Sequence, residues 1–167
     1  VDGLASRPSE MQFTPLDDDL AADLCTLTRE MTEAASLPAY EVSNHARPGE
    51  ESRHNLAYWR YDDTCGIGPG AHGRRGGVAT VRHRKPENWL EAVATQGDGI
   101  AEVRTLGMRE QASEAMLMGL RLAEGVDLTA KAARFGLGED ELCDPAKLEF
   151  YSRQGLAWRE GSRIGVT

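Results

Sequence analysis

Cysteine is scarce in this chain and occurs only at Cys25, Cys65 and Cys143 among 167 residues. Because the three cysteines are far apart and odd in number, they predict neither a disulfide framework nor a CxxC zinc site. Such cysteine usage is typical of a reducing compartment, so we expect a cytoplasmic protein. Long apolar runs are also missing, since no stretch approaches the roughly 18 apolar residues of a membrane span. The opening "VDGLASRPSEMQF" lacks the basic and apolar regions of a signal peptide.

Basic residues are in deficit as well, with a formal net charge of -8 and a pI near 5.0. Affinity for nucleic acid comes mainly from a basic surface that releases counterions, so we expect no nucleic-acid partner. From Met108 to Thr167, eight basic residues face ten acidic ones, a balance of -2. The candidate recognition helix "DPAKLEFYSRQG" offers only Lys147, Arg153 and Gln154 for DNA contacts. These features favour a packing module over a DNA-binding one.

The first half of the chain alternates helical and β-prone patterns. "LDDDLAADLCTLTREMTEAA" predicts a helix capped by Asp17, with apolar residues at helical spacing, namely Leu20, Leu24, Leu27 and Met31. "AYEV" predicts a short strand after Pro38, and a second β-prone run is expected to lead into "CGIGPGAHG". "VATVRH" and "PENWLEAVATQ" predict a further strand and helix. The expected architecture is an α/β layer with functional loops at strand ends.

Composition shifts near Thr105, so we predict one region over residues 1–105 and a second over residues 106–167. "MREQASEAMLMGLRLAEG" predicts a long helix that ends just before Gly125. Two shorter helices are expected between Asp127 and Gly136 and between Asp144 and Gly155. "LAWREGSRIGV" predicts a β-hairpin. Helices followed by a hairpin indicate a small, mostly helical, winged-helix-like domain.

The glycine run "GIGPGAHG" formally contains a GxGxxA dinucleotide pattern through Gly66, Gly68 and Ala71. That pattern must open directly into a helix, and Pro69 followed by "HGRRGG" predicts no helix there. Dinucleotide binding is therefore disfavoured. The glycines instead indicate a backbone that lies close to a neighbouring strand or to a ligand.

The four histidines are His45, His54, His72 and His83, and none forms the close pair that zinc sites usually show. His54 differs from the others because "HNLAY" places it four residues before Tyr58. On a helical turn both side chains would lie on one face. Imidazole and phenolate are common axial ligands of haem iron. Two interpretations stay open at this point: a haem-ligating pair, or two side chains that tie a loop to its neighbours.

Several stretches together resemble one known family. "PAYEVSNHARPGEESRHNLAYW" is followed by "GIGPGAHG", "RKPENWL" and "EAMLMGLRLAEGVDL". This order is similar to the C-terminal part of the haem chaperone HemW family, radical S-adenosylmethionine proteins also described as oxygen-independent coproporphyrinogen III oxidase-like. The resemblance runs from about Leu16 to the end of the chain.

The resemblance implies an α/β fold: the C-terminal part of a partial (β/α) radical-SAM barrel, then a small C-terminal domain. Family members carry a CxxxCxxC motif that holds a [4Fe-4S] cluster, with S-adenosylmethionine on the fourth iron. This sequence has no such motif, and its three cysteines cannot replace it. We therefore predict that the chain alone has no radical chemistry.

The resemblance also assigns candidate site residues. The family's HNxxY haem motif falls on His54, Asn55 and Tyr58, with His54 as the candidate iron ligand. Gly68, Gly70 and Ala71 would let the backbone approach S-adenosylmethionine at the end of a barrel strand.

The implied function is haem binding and transfer to respiratory haemoproteins, with homo-oligomerisation also possible. The alternative is the C-terminal portion of a coproporphyrinogen III oxidase-like enzyme of porphyrin biosynthesis.

Overall fold

The computed structural model describes residues 16–167. The opening stretch, which the sequence predicts not to be a signal peptide, lies outside these residues. The helices are α1 Asp18–Ala34, α2 Arg53–Trp59, α3 Pro86–Gln96, α4 Met108–Gly119, α5 Leu128–Phe135, α6 Glu139–Leu142 and α7 Pro145–Arg153. The strands are β1 Ala39–Glu41, β2 Asn44–His45, β3 His72–Arg75, β4 Val78–Arg82, β5 Ile100–Thr105, β6 Val126–Asp127, β7 Ala157–Glu160 and β8 Arg163–Val166. They form three antiparallel sheets, with strand orders β1-β2, β3-β4-β5 and β6-β8-β7.

Helix α1 forms where the sequence predicts it. The Asp17 carboxylate accepts a hydrogen bond of 2.8 Å from the Leu20 amide, as expected of an N-cap. Its apolar residues nevertheless stay exposed, from 43% at Leu20 and Leu24 to 64% at Met31. Thr32 contacts the next segment, since its hydroxyl lies 2.9 Å from His45 Nδ1. The periodicity therefore predicted the helix correctly, but it did not predict that the apolar residues of the helix would stay exposed.

The segment before the glycine run is helix α2, so the prediction of a second β-prone strand there was wrong. The Ser52 side chain caps this helix by accepting a 3.4 Å hydrogen bond from the Asn55 amide. An N-cap of this kind satisfies an amide that a strand would have needed to pair. The aromatic residues of "LAYW" favour strands only when a partner strand is available. Here only Thr64 forms an isolated bridge, with Arg74.

The glycine run enters a strand instead of ending one. It leads into β3, which pairs with β4, and β4 pairs with β5. Helix α3 connects β4 to β5 and has Pro86 in its first turn, as predicted. Every strand pair in residues 16–167 is antiparallel, whereas the strands of a (β/α) barrel are parallel. The α/β character is confirmed, and the barrel remains a prediction.

The second region contains α4 to α7 and the sheet β6-β8-β7. Asp127 and Asp144 cap α5 and α7 as predicted, and Gly136 ends α5 with a left-handed φ of 63°. The hairpin β7-β8 also forms where the sequence predicts it. A buried apolar cluster joins α4 to this sheet through Met116, Val126, Leu128 and Ile164. The winged-helix comparison and the boundary at residues 105–106 stay predictions.

Helix α4 is shorter than predicted, because it ends at Gly119 and not near Gly125. The following residues pair with β1 instead of continuing the helix. The Val42 amide donates to the Arg121 carbonyl at 3.1 Å, and the Ala123 amide donates to the Tyr40 carbonyl at 3.0 Å. A tertiary contact therefore overrides the local helical pattern.

Tyr61 joins the two regions. Its side chain is 1% exposed and packs with Ala112, Ala115 and Phe135 in a core cluster. The hydroxyl donates a 2.7 Å hydrogen bond to a carboxylate oxygen of Glu114. The Arg74 guanidinium lies 3.4 Å from the Tyr61 ring centroid, in a cation–π arrangement. Tyr61 also has a positive φ of 65°, a strained conformation that the surrounding contacts maintain.

Folding stability should depend on Tyr61 at alkaline pH. Burial, reinforced by the Glu114 hydrogen bond, raises the pKa of the Tyr61 hydroxyl, although Arg74 opposes this shift. An unfolded tyrosine ionises near pH 10, so above that pH the unfolded state loses a proton that the folded state keeps. The free energy of unfolding should therefore fall above about pH 10. Urea denaturation from pH 8 to pH 11 measures this loss. If the free energy of unfolding of a Tyr61→Phe chain falls by as much over the same pH range, the prediction is wrong.

Candidate functional site

Helix α2 brings the predicted haem residues together. Because α2 is helical from Arg53 to Trp59, His54 and Tyr58 lie one turn apart on the same face. The His54 imidazole is exposed to solvent, while Tyr58 is half-buried. The first side chain is thus accessible to a ligand, and the second lies where the helix meets the rest of the chain.

Asn55 fastens α2 to the first hairpin. Its side-chain amide donates a 3.1 Å hydrogen bond to the Tyr40 hydroxyl of β1. The contact gives Asn55 a structural role, which holds the orientation of α2 and hence of His54. It therefore supports the interpretation that side chains of this segment fasten it to its neighbours, although through Asn55 and not through His54 or Tyr58.

A cavity of about 330 Å³ lies between α2, α4 and the sheet β3-β4-β5. Tyr58 lines it together with His72, Leu117 and Met118. Two arginines and two glutamates contribute charge to its wall, namely Arg74, Arg104, Glu102 and Glu114. The cavity thus combines an apolar side with residue types that can ligate iron or form hydrogen bonds. His54 is not one of its lining residues, and the position of His72 here was not predicted.

An ion pair between the buried Glu41 and the partly exposed Arg121 lies next to α2, and sequence reasoning missed it. Glu41 is 2% exposed, and one of its carboxylate oxygens lies 3.7 Å from the Arg121 guanidinium. Its other oxygen accepts hydrogen bonds from the Ser43 amide and from the Asn44 side chain. Arg121 also lies 4.4 Å above the Trp59 ring of α2. A charged residue inside the β-prone run "AYEV" was the available signal.

The glycines of "GIGPGAHG" have a conformational explanation. Gly68 and Gly70 adopt positive φ values of 94° and 71°, which other residues rarely tolerate. At Gly66, a Cβ atom would lie 2.7 Å from the His72 backbone. The neighbouring-strand interpretation therefore explains Gly66. The assignment of Gly68, Gly70 and Ala71 to S-adenosylmethionine stays a prediction.

The cysteines do not form a metal centre in the part of the chain that the structure describes. Cys25 and Cys65 are exposed, Cys143 is half-buried, and all three are free thiols. No group of three or more histidine, cysteine or acidic side chains converges on one point within residues 16–167. The arrangement of the three cysteines therefore does not fit an iron–sulfur cluster.

Comparison with known proteins identifies the family. Residues 108–167 match the family model of the HemN C-terminal domain. The heme chaperone HemW of Bacillus subtilis is 32% identical over 146 residues, covering 87% of this chain and 38% of that protein. HemW of Mycobacterium tuberculosis strain H37Rv is 34% identical over 164 residues, covering 98% of this chain and 40% of that protein. The chain belongs to the HemW family.

A mouse relative, radical S-adenosyl methionine domain-containing protein 1, mitochondrial, is 41% identical over 118 residues, covering 66% of this chain and 27% of that protein. The coproporphyrinogen III oxidase HemN of Escherichia coli, a radical SAM enzyme, has a similar fold, with a TM-score of 0.68 and 15% identity. That match covers 91% of this chain and 38% of the HemN chain. This chain spans about two fifths of the length of the HemW relatives, and the predicted family resemblance is confirmed.

One structural feature bears on membrane association. Among residues 16–167, no helix is both long enough and apolar enough to span a bilayer.

Proposed function

We propose that this chain is the haem-binding segment of a HemW-family haem chaperone, which passes haem to respiratory haemoproteins. The observation that carries the proposal is helix α2, which presents an exposed His54 and a cavity-lining Tyr58 one turn apart. The names of the bacterial relatives support it. The cargo is haem, and the predicted location is the cytoplasm.

Each residue of the HNxxY motif has a distinct part in this proposal. His54 provides an imidazole nitrogen to the haem iron, because imidazole is a common axial ligand and this one is accessible. Asn55 holds α2 against β1 through Tyr40 and so fixes the direction of His54. Tyr58 provides a phenol or a stacking surface at the cavity.

The cavity fits part of a haem and not all of it. At about 330 Å³ it lies at the low end of ordinary ligand pockets, which range from roughly 300 to 1,000 Å³. Most of the macrocycle would thus rest outside, on the exposed face that carries His54. Such shallow binding suits a protein that must release its haem to an acceptor.

Haem titration followed by absorbance tests the proposal. A saturable Soret band with a defined stoichiometry is the expected result for the complete chain. Tyr58→Phe should weaken binding only mildly, since it keeps the ring and removes the oxygen alone. A titration that never saturates would indicate nonspecific adsorption and would contradict the proposal.

A second function is favoured by one observation, the fold similarity to HemN. In that case the chain is the C-terminal portion of a coproporphyrinogen III oxidase-like enzyme. Gly68, Gly70 and Ala71 would then border the S-adenosylmethionine side of the complete protein. Decarboxylation of coproporphyrinogen by the full-length parent, without saturable haem binding, would favour this second function.

The chain alone should not assemble an iron–sulfur cluster. Its three cysteines are dispersed, and in the described residues no three or more histidine, cysteine or acidic side chains are grouped so that they could hold a metal ion. After anaerobic reconstitution with iron and sulfide, we expect no stoichiometric cluster absorbance and no cleavage of S-adenosylmethionine. Iron and sulfide analysis of the desalted protein makes the measurement. One cluster per chain would show that the assignment of the chain as cluster-free is wrong.

A further inference from the structure

A second cavity, of about 410 Å³, lies beyond the C-terminal end of α2 and is bordered by α5 and β8. It shares no lining residue with the cavity that contains Tyr58. Four basic side chains line it: Arg60, Lys131, Arg134 and Arg163. Three carboxylates line it too, Asp62, Glu124 and Asp127, so its wall has a net charge of 4 - 3 = +1 in a chain whose net charge is -8.

Main-chain carbonyl groups position three of these cations. Lys131 Nζ donates to the Arg60 carbonyl at 2.9 Å, and an Arg134 guanidinium nitrogen donates to the Tyr61 carbonyl at 2.8 Å. Arg163 donates in the same way to the Glu124 carbonyl at 3.0 Å. Each cation is therefore oriented while most of its N–H donors stay available, since Lys has three donors and Arg has five.

The fourth cation behaves differently. Arg60 forms two hydrogen bonds of 2.9 Å to the Glu124 carboxylate and is neutralised by it. Within residues 16–167, Lys131, Arg134 and Arg163 form no comparable ion pair within 4.0 Å. Nearby carboxylates compensate Arg163 and Lys131 only from longer range, namely Glu124 and Asp127 for Arg163 and Asp62 for Lys131.

Two carboxylates remain in the cavity wall, so three cations face two anions. Asp127 is already used as the cap of α5, where it accepts from the Ala130 amide at 3.0 Å. Burial and the neighbouring Arg134 lower the pKa of Lys131, while Asp62 raises it. The negative charge around Lys131 is therefore too small to balance its protonated ammonium in the folded chain. A bound anion would stabilise that ammonium.

We propose that this cavity binds a small oxyanion with at least two negative charges, a phosphate or carboxylate compound held by Lys131, Arg134 and Arg163. The planar guanidinium groups match such oxyanions with paired N–H donors, and the ammonium adds a point charge. The volume is adequate for a small polyanion. This site does not use His54, Asn55 or Tyr58, so it stands independently of haem binding.

Calorimetric titration of the complete chain tests the site, with pyrophosphate and citrate as separate probes at constant ionic strength. We expect saturable binding of at least one probe, and the probe that binds identifies a phosphate or a carboxylate ligand. Lys131→Met and Arg163→Gln should each weaken that binding at least tenfold. Lys147→Met is the matched control, because Lys147 is an exposed lysine on α7, outside the cavity, and its removal should change little.

Several results would overturn the site. The proposal is wrong if neither pyrophosphate nor citrate binds at concentrations up to about 10 mM, where even a very weak interaction would be detected. Equal losses from Lys131→Met and Lys147→Met would show a general charge effect in place of a site. If circular dichroism shows that Lys131→Met does not fold, Arg163→Gln decides the question, because the Arg163 side chain is exposed. Unchanged binding in a folded Arg163→Gln chain would then reject the proposal.

Discussion

Replacing His54 with alanine should weaken haem binding at least about tenfold, which corresponds to roughly 1.4 kcal/mol or more. The substitution removes a candidate iron ligand outright, so the haem spectrum should also change in kind. Because the His54 side chain is exposed, its removal should leave the fold intact. Absorbance titration gives the affinity, and the position of the Soret band reports the change in ligation.

His45→Ala provides the matched control for this prediction. His45 lies on β2, outside the HNxxY motif, and its Nδ1 already contacts the Thr32 hydroxyl at 2.9 Å. Its loss should leave haem affinity nearly unchanged. Equal weakening by the two substitutions would point to nonspecific haem adsorption. Unchanged affinity in His54→Ala would contradict haem ligation by His54 and leave α2 with only a structural role, like that of Asn55.

Tyr61→Ala should destabilise the chain by about 3–5 kcal/mol, the usual cost of truncating a fully buried aromatic side chain. The change opens a void among Ala112, Ala115 and Phe135. It also removes the ring beneath Arg74, whose side chain is itself buried at 8% exposure. With typical stabilities of about 5–15 kcal/mol, this is a large fraction of the total. Urea denaturation followed by circular dichroism measures the loss.

Two further variants separate the contributions of the Tyr61 ring and hydroxyl. Tyr61→Phe keeps the ring and should cost less, about 1.5–3 kcal/mol, the net value of a hydrogen bond to a charged group such as the Glu114 carboxylate. Tyr151→Ala applies the same truncation to a side chain that is 48% exposed and should cost about 1 kcal/mol or less. A Tyr61→Ala chain as stable as the Tyr151→Ala chain would show that Tyr61 does not join the two regions.

The elements that the sequence predicted correctly depend on contacts within a few residues. Asp17, Asp127 and Asp144 each cap a helix that starts immediately after them. Gly136 ends α5, and the turn after Glu160 closes the β7-β8 hairpin. Capping and turn preferences of this kind follow from the local chain and need no distant partner.

The elements that it predicted wrongly depend on distant partners. A second β-prone run was expected to lead into the glycine run, but the segment before it forms α2, capped by Ser52. The pattern after Gly119 favoured a longer α4, but Arg121 and Ala123 pair with β1. Strand preference is real only where a partner strand is present, and helical preference gives way to a tertiary contact.

The candidate site also has a part that the sequence predicted and a part that depends on distant residues. The order of the motifs by itself determined the family and placed His54, Asn55 and Tyr58 in the HNxxY motif. Only the tertiary structure brought His72 and Met118 to the Tyr58 cavity and assembled the basic cavity around Lys131. Tyr61 bonds to Glu114 across 53 positions, and Arg60 pairs with Glu124 across 64. No local pattern specifies which distant residues meet, because that choice depends on how the helices and sheets pack together.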